Sequence, residues 1–210
     1  YSGGWLGLPT LALRRTMRDF RFLAENKCVG LEVDTLPLMW ATQGVQYYLM
    51  AQMAYDPFLD GEAVLQDYCR RGFGPAAEPV AAYFDLMEGA HEQILNHPAF
   101  RHSGAAAREM IGLCEEVYTD EIMSRAEELM RNAVARAADG PDIHRQRTQF
   151  LRVGHEFVAL QIGIIRTMRR ARESAGKDAE AVRTAMDLCA RRATLLRDNP
   201  GIAFRNTDWY

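Results

Sequence analysis

From about residue 37 to the end, apolar side chains return every third or fourth position, the period of helices buried along one side. Segment 38–55, LMWATQGVQYYLMAQMAY, is apolar almost all round, so it is expected to be a buried helix with Trp40 inside it. It should stop at Asp56-Pro57, because the residue before a proline is pushed away from helical backbone angles. Segment 60–74, DGEAVLQDYCRRGFG, opens on Asp60 as a cap and ends at Gly72 or Gly74. The next helix opens with Pro75 in its first turn, where a missing N–H costs nothing, and runs to about residue 97. Two more span about 105–118 and 121–138, broken near Thr119-Asp120. Residues 142–174 place Phe150, Val153, Phe157, Leu160, Ile164 and Met168 on one stripe. A last helix covers 178–197 and halts before Asn199-Pro200-Gly201. The tail 202–210, IAFRNTDWY, is expected to dock as an extended segment. Short loops between long amphipathic helices predict an antiparallel helical bundle over 37–210.

Residues 1–36 read differently. YSGGWLGLP is rich in glycine and aromatic residues, as at a strand end and loop. Residues 10–27 have helical spacing, with Thr10 as the N-cap. CVGLEVD, residues 28–34, then reads as a strand, with Val29 to Val33 as its apolar run. Strand, helix and strand in so short a span form one βαβ unit of a parallel sheet. One such unit cannot bury both faces of its strands. The expectation is therefore that the chain, which opens on Tyr1 rather than Met, is a fragment of a longer protein, and its compartment stays open.

Composition adds exclusions. Among 210 residues, 48% are apolar, enough for a sizeable core, and the net charge of −3 is spread over interspersed acids and bases. Nucleic-acid binders carry a basic stripe, which is missing here. No apolar run approaches the roughly 18 residues of a membrane span. Cys28, Cys69, Cys114 and Cys189 are widely spaced and read as buried free thiols. No motif asks for a cofactor or a metal.

Few polar residues suggest chemistry. Glu88 and His91 form an ExxH pair, but a di-iron bundle needs a second pair and two further carboxylates, so the pair reads as an exposed polar face. His155 sits within an apolar stripe and reads as a bundle residue rather than a base. His97 and His102 flank Pro98 in what reads as a solvated loop. Residues 119–128 are acidic yet lack the glycine and alternating ligands of a calcium loop. Glu32 and Asp34 are different. They alternate with Leu31 and Val33, so both face one side of the expected strand. At the mouth of a parallel α/β barrel, acids so placed can accept hydrogen bonds from sugar hydroxyls, with Trp5 stacking on a sugar face. Glu32 pairing with an arginine inside the barrel, or capping the next helix, is an equal alternative.

The runs LGLPTLALRRTMRDFRFLAENKCVGLEVD and GVQYYLMAQMAYDPFLDGEAVLQDYCRRGFGPAAEPVAAYFDLME resemble a bacterial family of unknown-function domains. That family occurs in glycoside-hydrolase-like proteins distantly related to α-glucuronidases and β-hexosaminidases. Pro9, Gly30, Glu32, Tyr48, Ala51, Asp56-Pro57, Asp60, Tyr68, Gly74-Pro75-Ala76-Ala77 and Tyr83 carry the resemblance, which covers residues 1–88. Tyr55 and Phe73 depart from it, each replacing one aromatic by another. The resemblance implies that residues 1–36 are the last βαβ unit of a (β/α)8 barrel, followed by a C-terminal helical domain over 37–210. It implies that the catalytic carboxylates lie upstream of this chain. Glu32, with Trp5 and Asp34, would then bind a carbohydrate substrate. A helical interaction module without chemistry, forming a homodimer, is the alternative.

Overall fold

The computed structural model describes residues 7–32, 39–98 and 106–202, with side-chain surroundings in the last segment described from residue 112. Its helices are α1 (Leu13–Glu25), α2 (Trp40–Tyr55), α3 (Gly61–Phe73), α4 (Ala77–Asn96), α5 (Ala106–Val117), α6 (Asp120–Ala137), α7 (Asp142–Glu173) and α8 (Ala179–Asp198). Several ends follow from local chemistry. Asp60 caps α3 by accepting from Glu62 N and Ala63 N. Thr119 caps α6 through Ile122 N, and Asp178 caps α8 through Ala181 N. Each satisfies an orphan N–H of a first turn. α2 stops at extended Asp56, immediately before Pro57. α3 ends at Gly74, whose φ of 52° suits a residue without a side chain, and a Cβ there would collide with the His144 ring.

α7, with 32 residues, is the spine. At 1.5 Å per residue it is about 48 Å long. α2, α3, α5, α6 and α8 all pack against it. One side, with Leu151, Val158, Ile162 and Ile165, joins the main core, which also holds Leu8, Leu11 and Leu13. The opposite side places Phe157 with Met39, Ala41 and Ile202. The expected stripe on this helix is only partly inside: Phe157, Leu160 and Ile164 are buried, while Phe150 and Met168 are exposed. Gly154 lets α2 approach, since a Cβ there would lie 2.6 Å from the Ala41 methyl. Tyr48, Tyr68, Phe73, Phe84 and Tyr83 form a run of aromatic contacts that ties α2, α3 and α4 together.

The expected βαβ unit is not found. The described residues contain no strand, and 28–32 form neither helix nor sheet. Val29 and Leu31, expected inside, are exposed. A strand needs a neighbour to take its N–H and C=O groups, and none of the described residues supplies one. Helix α1 ends instead with Lys27 at a φ of 57°, its N–H bonded to Ala24 O and that of Cys28 to Leu23 O. That turn leads residues 28–32 out into solvent. Thr10 does not cap α1 either: the helix starts three residues later, and Thr10 is buried in the irregular segment before it. Helix α2 is buried along one side only; Trp40 stands 45% exposed and Tyr55 91% exposed.

Candidate functional site

Gln43, Gln46, Glu88 and His91, buried polar side chains of the amino-terminal half, converge on one place. Residues 8–12 have no helix or sheet to satisfy their backbone, yet they are buried. Side chains from elsewhere take over that role. From α2, Gln43 donates through Nε2 to Leu8 O at 2.9 Å. One turn on, Gln46 accepts from Ala12 N at 2.8 Å and donates to Thr16 Oγ1 at 2.8 Å. From α4, Glu88 accepts the N–H of Arg14 at 2.7 Å. From the end of α5, Tyr118 donates to Pro9 O at 3.4 Å.

His91 completes the set. Its Nδ1 lies 2.7 Å from Leu11 O. A carbonyl can only accept, so Nδ1 carries the proton and donates. Nε2 is then the unprotonated nitrogen, and it is buried without a partner among the described residues. Burial pushes the His91 pKa down, more strongly than the Leu11 carbonyl raises it.

Glu88 does two things. Ala12, the N-cap of α1, offers no side-chain hydrogen bond, and Glu88 supplies the missing acceptor from 74 residues away. It also binds the Arg14 guanidinium, which reaches Asp85 at 2.7 Å and Glu62 at 2.9 Å. Burial works against the charge on Arg14, but the three carboxylates together hold its pKa above the ordinary value. Next along α1, Arg15 binds Glu92 with two N–H groups at 3.2 Å and pulls the Glu92 pKa down.

Glu88 and His91, expected on an exposed face, are thus 5% and 1% exposed. Their spacing carried the signal. Val80, Phe84, Met87, His91 and Ile94 follow one helical stripe, and Glu88 adjoins it.

A second buried group lies between α6 and α7. His155, 1% exposed, has Nε2 3.4 Å from Glu127 Oε2, and Arg152 holds the same carboxylate at 2.8 and 3.0 Å. The Tyr83 ring meets the His155 ring edge-on at 5.5 Å. His155 is therefore built into the bundle, as its apolar setting predicted. Its pKa is held down to about 4, chiefly by burial, with Glu127 pulling the other way.

Glu32 lies exposed at the end of the irregular stretch 28–32. Trp5 and Asp34 lie outside the described residues, as does His102. A groove of about 470 Å³ lies elsewhere, between the first half of α7 and the turn after α8, lined by Arg145, Gln149, Phe150, Asn199 and Ile202 among others. Among the described residues, no three His, Cys, Asp or Glu side chains are grouped to hold a metal ion, and no helix is long and apolar enough to cross a membrane. Cys69 and Cys114 are buried free thiols, Cys189 is half-buried, and Cys28 is exposed.

A family model described as a domain of unknown function (DUF4838) matches residues 8–85. The match takes in the clamped segment, α1, both glutamines of α2, α3 and the part of α4 up to Asp85; it stops just before Glu88 and His91. No curated protein and no solved structure matches the chain.

Proposed function

We propose that this chain is a non-catalytic helical part of a glycoside-hydrolase-like protein that acts on carbohydrate, with Glu32 on its substrate-facing edge. One observation carries the first half of this reading. The buried ionisable side chains Glu88, His91 and His155 are each committed to holding the fold: Glu88 to the start of α1, His91 to Leu11 O, and His155 to Glu127. A group bound in this way is a poor candidate for moving a proton to or from a substrate, which requires access to the reacting atom.

The second half rests on the resemblance of residues 1–88 to domains of glycoside-hydrolase-like proteins and on the exposure of Glu32. An exposed carboxylate accepts hydrogen bonds from vicinal sugar hydroxyls. The clamp on residues 8–14 fixes the base of α1, and Glu32 lies in the exposed stretch that follows the turn at Lys27. The test is calorimetric titration of this chain with glycosides of uronic acids and N-acetylhexosamines, alongside Glu32→Gln. Glu32→Gln is expected to weaken binding at least tenfold while leaving the unfolding midpoint unchanged. A wild-type chain that binds none of these sugars, or a variant that binds them equally well, overturns the role of Glu32.

A further inference from the structure

Helix α2 carries no charged residue along its 16 positions. Its inner side is in the core, through Val45, Leu49 and Met53. Its outer side, instead of being polar as on an ordinary surface helix, presents Trp40, Tyr48 and Tyr55 at 45%, 38% and 91% exposure, continued past the helix end by Phe58 at 58%. An aromatic side chain buries roughly 150–250 Å², so these four rings expose on the order of 450 Å². Patches of that size mark interaction sites.

The order of residues along this face says what fits it. Gly44, Tyr48, Ala51 and Tyr55 are spaced four, three and four apart, the seam by which one helix packs on another. Large and small residues alternate along it. Gly44, having no side chain, is the low point of this row, and the Tyr68 hydroxyl beside it lies 3.5 Å from where a Cβ would stand.

From this pattern we infer that α2 pairs antiparallel with the α2 of a second copy of the chain, Tyr55 of each lying over Gly44 of the other. The same register puts Tyr48 over the partner copy's Ala51 and Trp40 beside its Phe58. Large meets small at the centre, and aromatic meets aromatic at the ends. A two-fold contact sets each patch against its own copy. Identical charges would then stand near one another across the axis, and a helix without charges avoids that repulsion. Two such faces, with the small residues between the rings, approach the roughly 1,200 Å² at which specific interfaces begin. The dimer is therefore weak, with dissociation in the micromolar range.

Sedimentation equilibrium on the whole chain across the micromolar range tests the inference. The wild-type chain is expected to show a monomer–dimer equilibrium. Gly44→Lys and Tyr55→Glu are each expected to weaken it at least tenfold while keeping the wild-type circular dichroism spectrum. Mixing the two variants is the decisive arm. In the antiparallel register Lys at one copy's position 44 meets Glu at the other's position 55, so a heterodimer should form at concentrations where neither variant self-associates. A wild-type chain that stays monomeric overturns the inference, even where it binds a different protein or a glycan through α2. A mixture that stays monomeric overturns the register. Should a variant misfold, Ala51→Leu, which puts a large side chain opposite Tyr48 from an exposed position, is expected to weaken the dimer in the same way.

Discussion

The Glu88 carboxylate accepts the backbone N–H of Arg14 at 2.7 Å, joining the middle of α4 to the first turn of α1. A helix start that lacks its own cap is thereby capped from another helix. Glu88→Ala removes that acceptor and leaves Arg14 with only Asp85 and Glu62. Losing a cap costs about 0.5–2 kcal/mol, and breaking a buried pair costs more; Arg14 keeps some contact with water, so about 2–3 kcal/mol is expected in urea unfolding. Glu88→Gln keeps an acceptor for the N–H and should cost less than Glu88→Ala. Equal losses for the two would mean that the cap contributes nothing.

Two glycines in helix interiors should respond to alanine with opposite signs. At Gly154 a Cβ would meet the Ala41 methyl at 2.6 Å, forcing α7 and α2 apart. Overpacking of this kind costs about 1–3 kcal/mol, so Gly154→Ala should lower the thermal midpoint. Gly89 stands exposed within α4 with nothing within 4 Å of a Cβ. There Gly89→Ala should stabilise by about 0.5–1 kcal/mol, since glycine loses more backbone freedom on folding. Shifts of the same sign in two melting curves would refute the assigned packing.

His155 makes stability depend on pH. Its pKa is about 4 in the folded chain, against an ordinary value of 6.5, so between those values the unfolded chain takes up a proton that the folded one refuses. Stability then falls as pH drops from 6.5 towards 4, and above 6.5 this group adds no slope. His91 is shifted in the same direction, again chiefly by burial. Unfolding free energies measured across that window should show the slope, and His155→Gln should reduce it by about one proton. An unchanged slope in the variant would place the titration elsewhere.

What could be read from the sequence was local. Asp60, Thr119 or its neighbour, Asp178 and the Asp56-Pro57 step mark helix ends through contacts spanning a few residues, and those ends lie where expected. The strand expected at Val29 to Val33 needed a distant partner, and a short apolar run carries no record of whether one exists. For Glu88 and His91 the stripe through Val80, Phe84, Met87 and Ile94 marks the buried side, but their partners, 74 and 80 residues away, leave no local trace. Taken alone, an ExxH pair on a helix is indistinguishable from a solvated one. The all-round apolar character of α2 was visible too, but only the fold shows which side the protein covers itself.

The clamp around residues 8–12 also bears on the order of synthesis. A chain emerging amino-terminus first exposes these residues long before their partners exist. The Pro9 carbonyl waits for Tyr118, 109 residues later. Until α4 and α5 are made, this segment has hydrophobic side chains, unsatisfied backbone groups and no place to put them, the condition in which nascent chains attract chaperones or one another. Residues 8–12 therefore lock only after α4 and α5 emerge, and conditions that slow elongation across α4 and α5 should weigh more heavily on the yield of folded protein than a delay in α8.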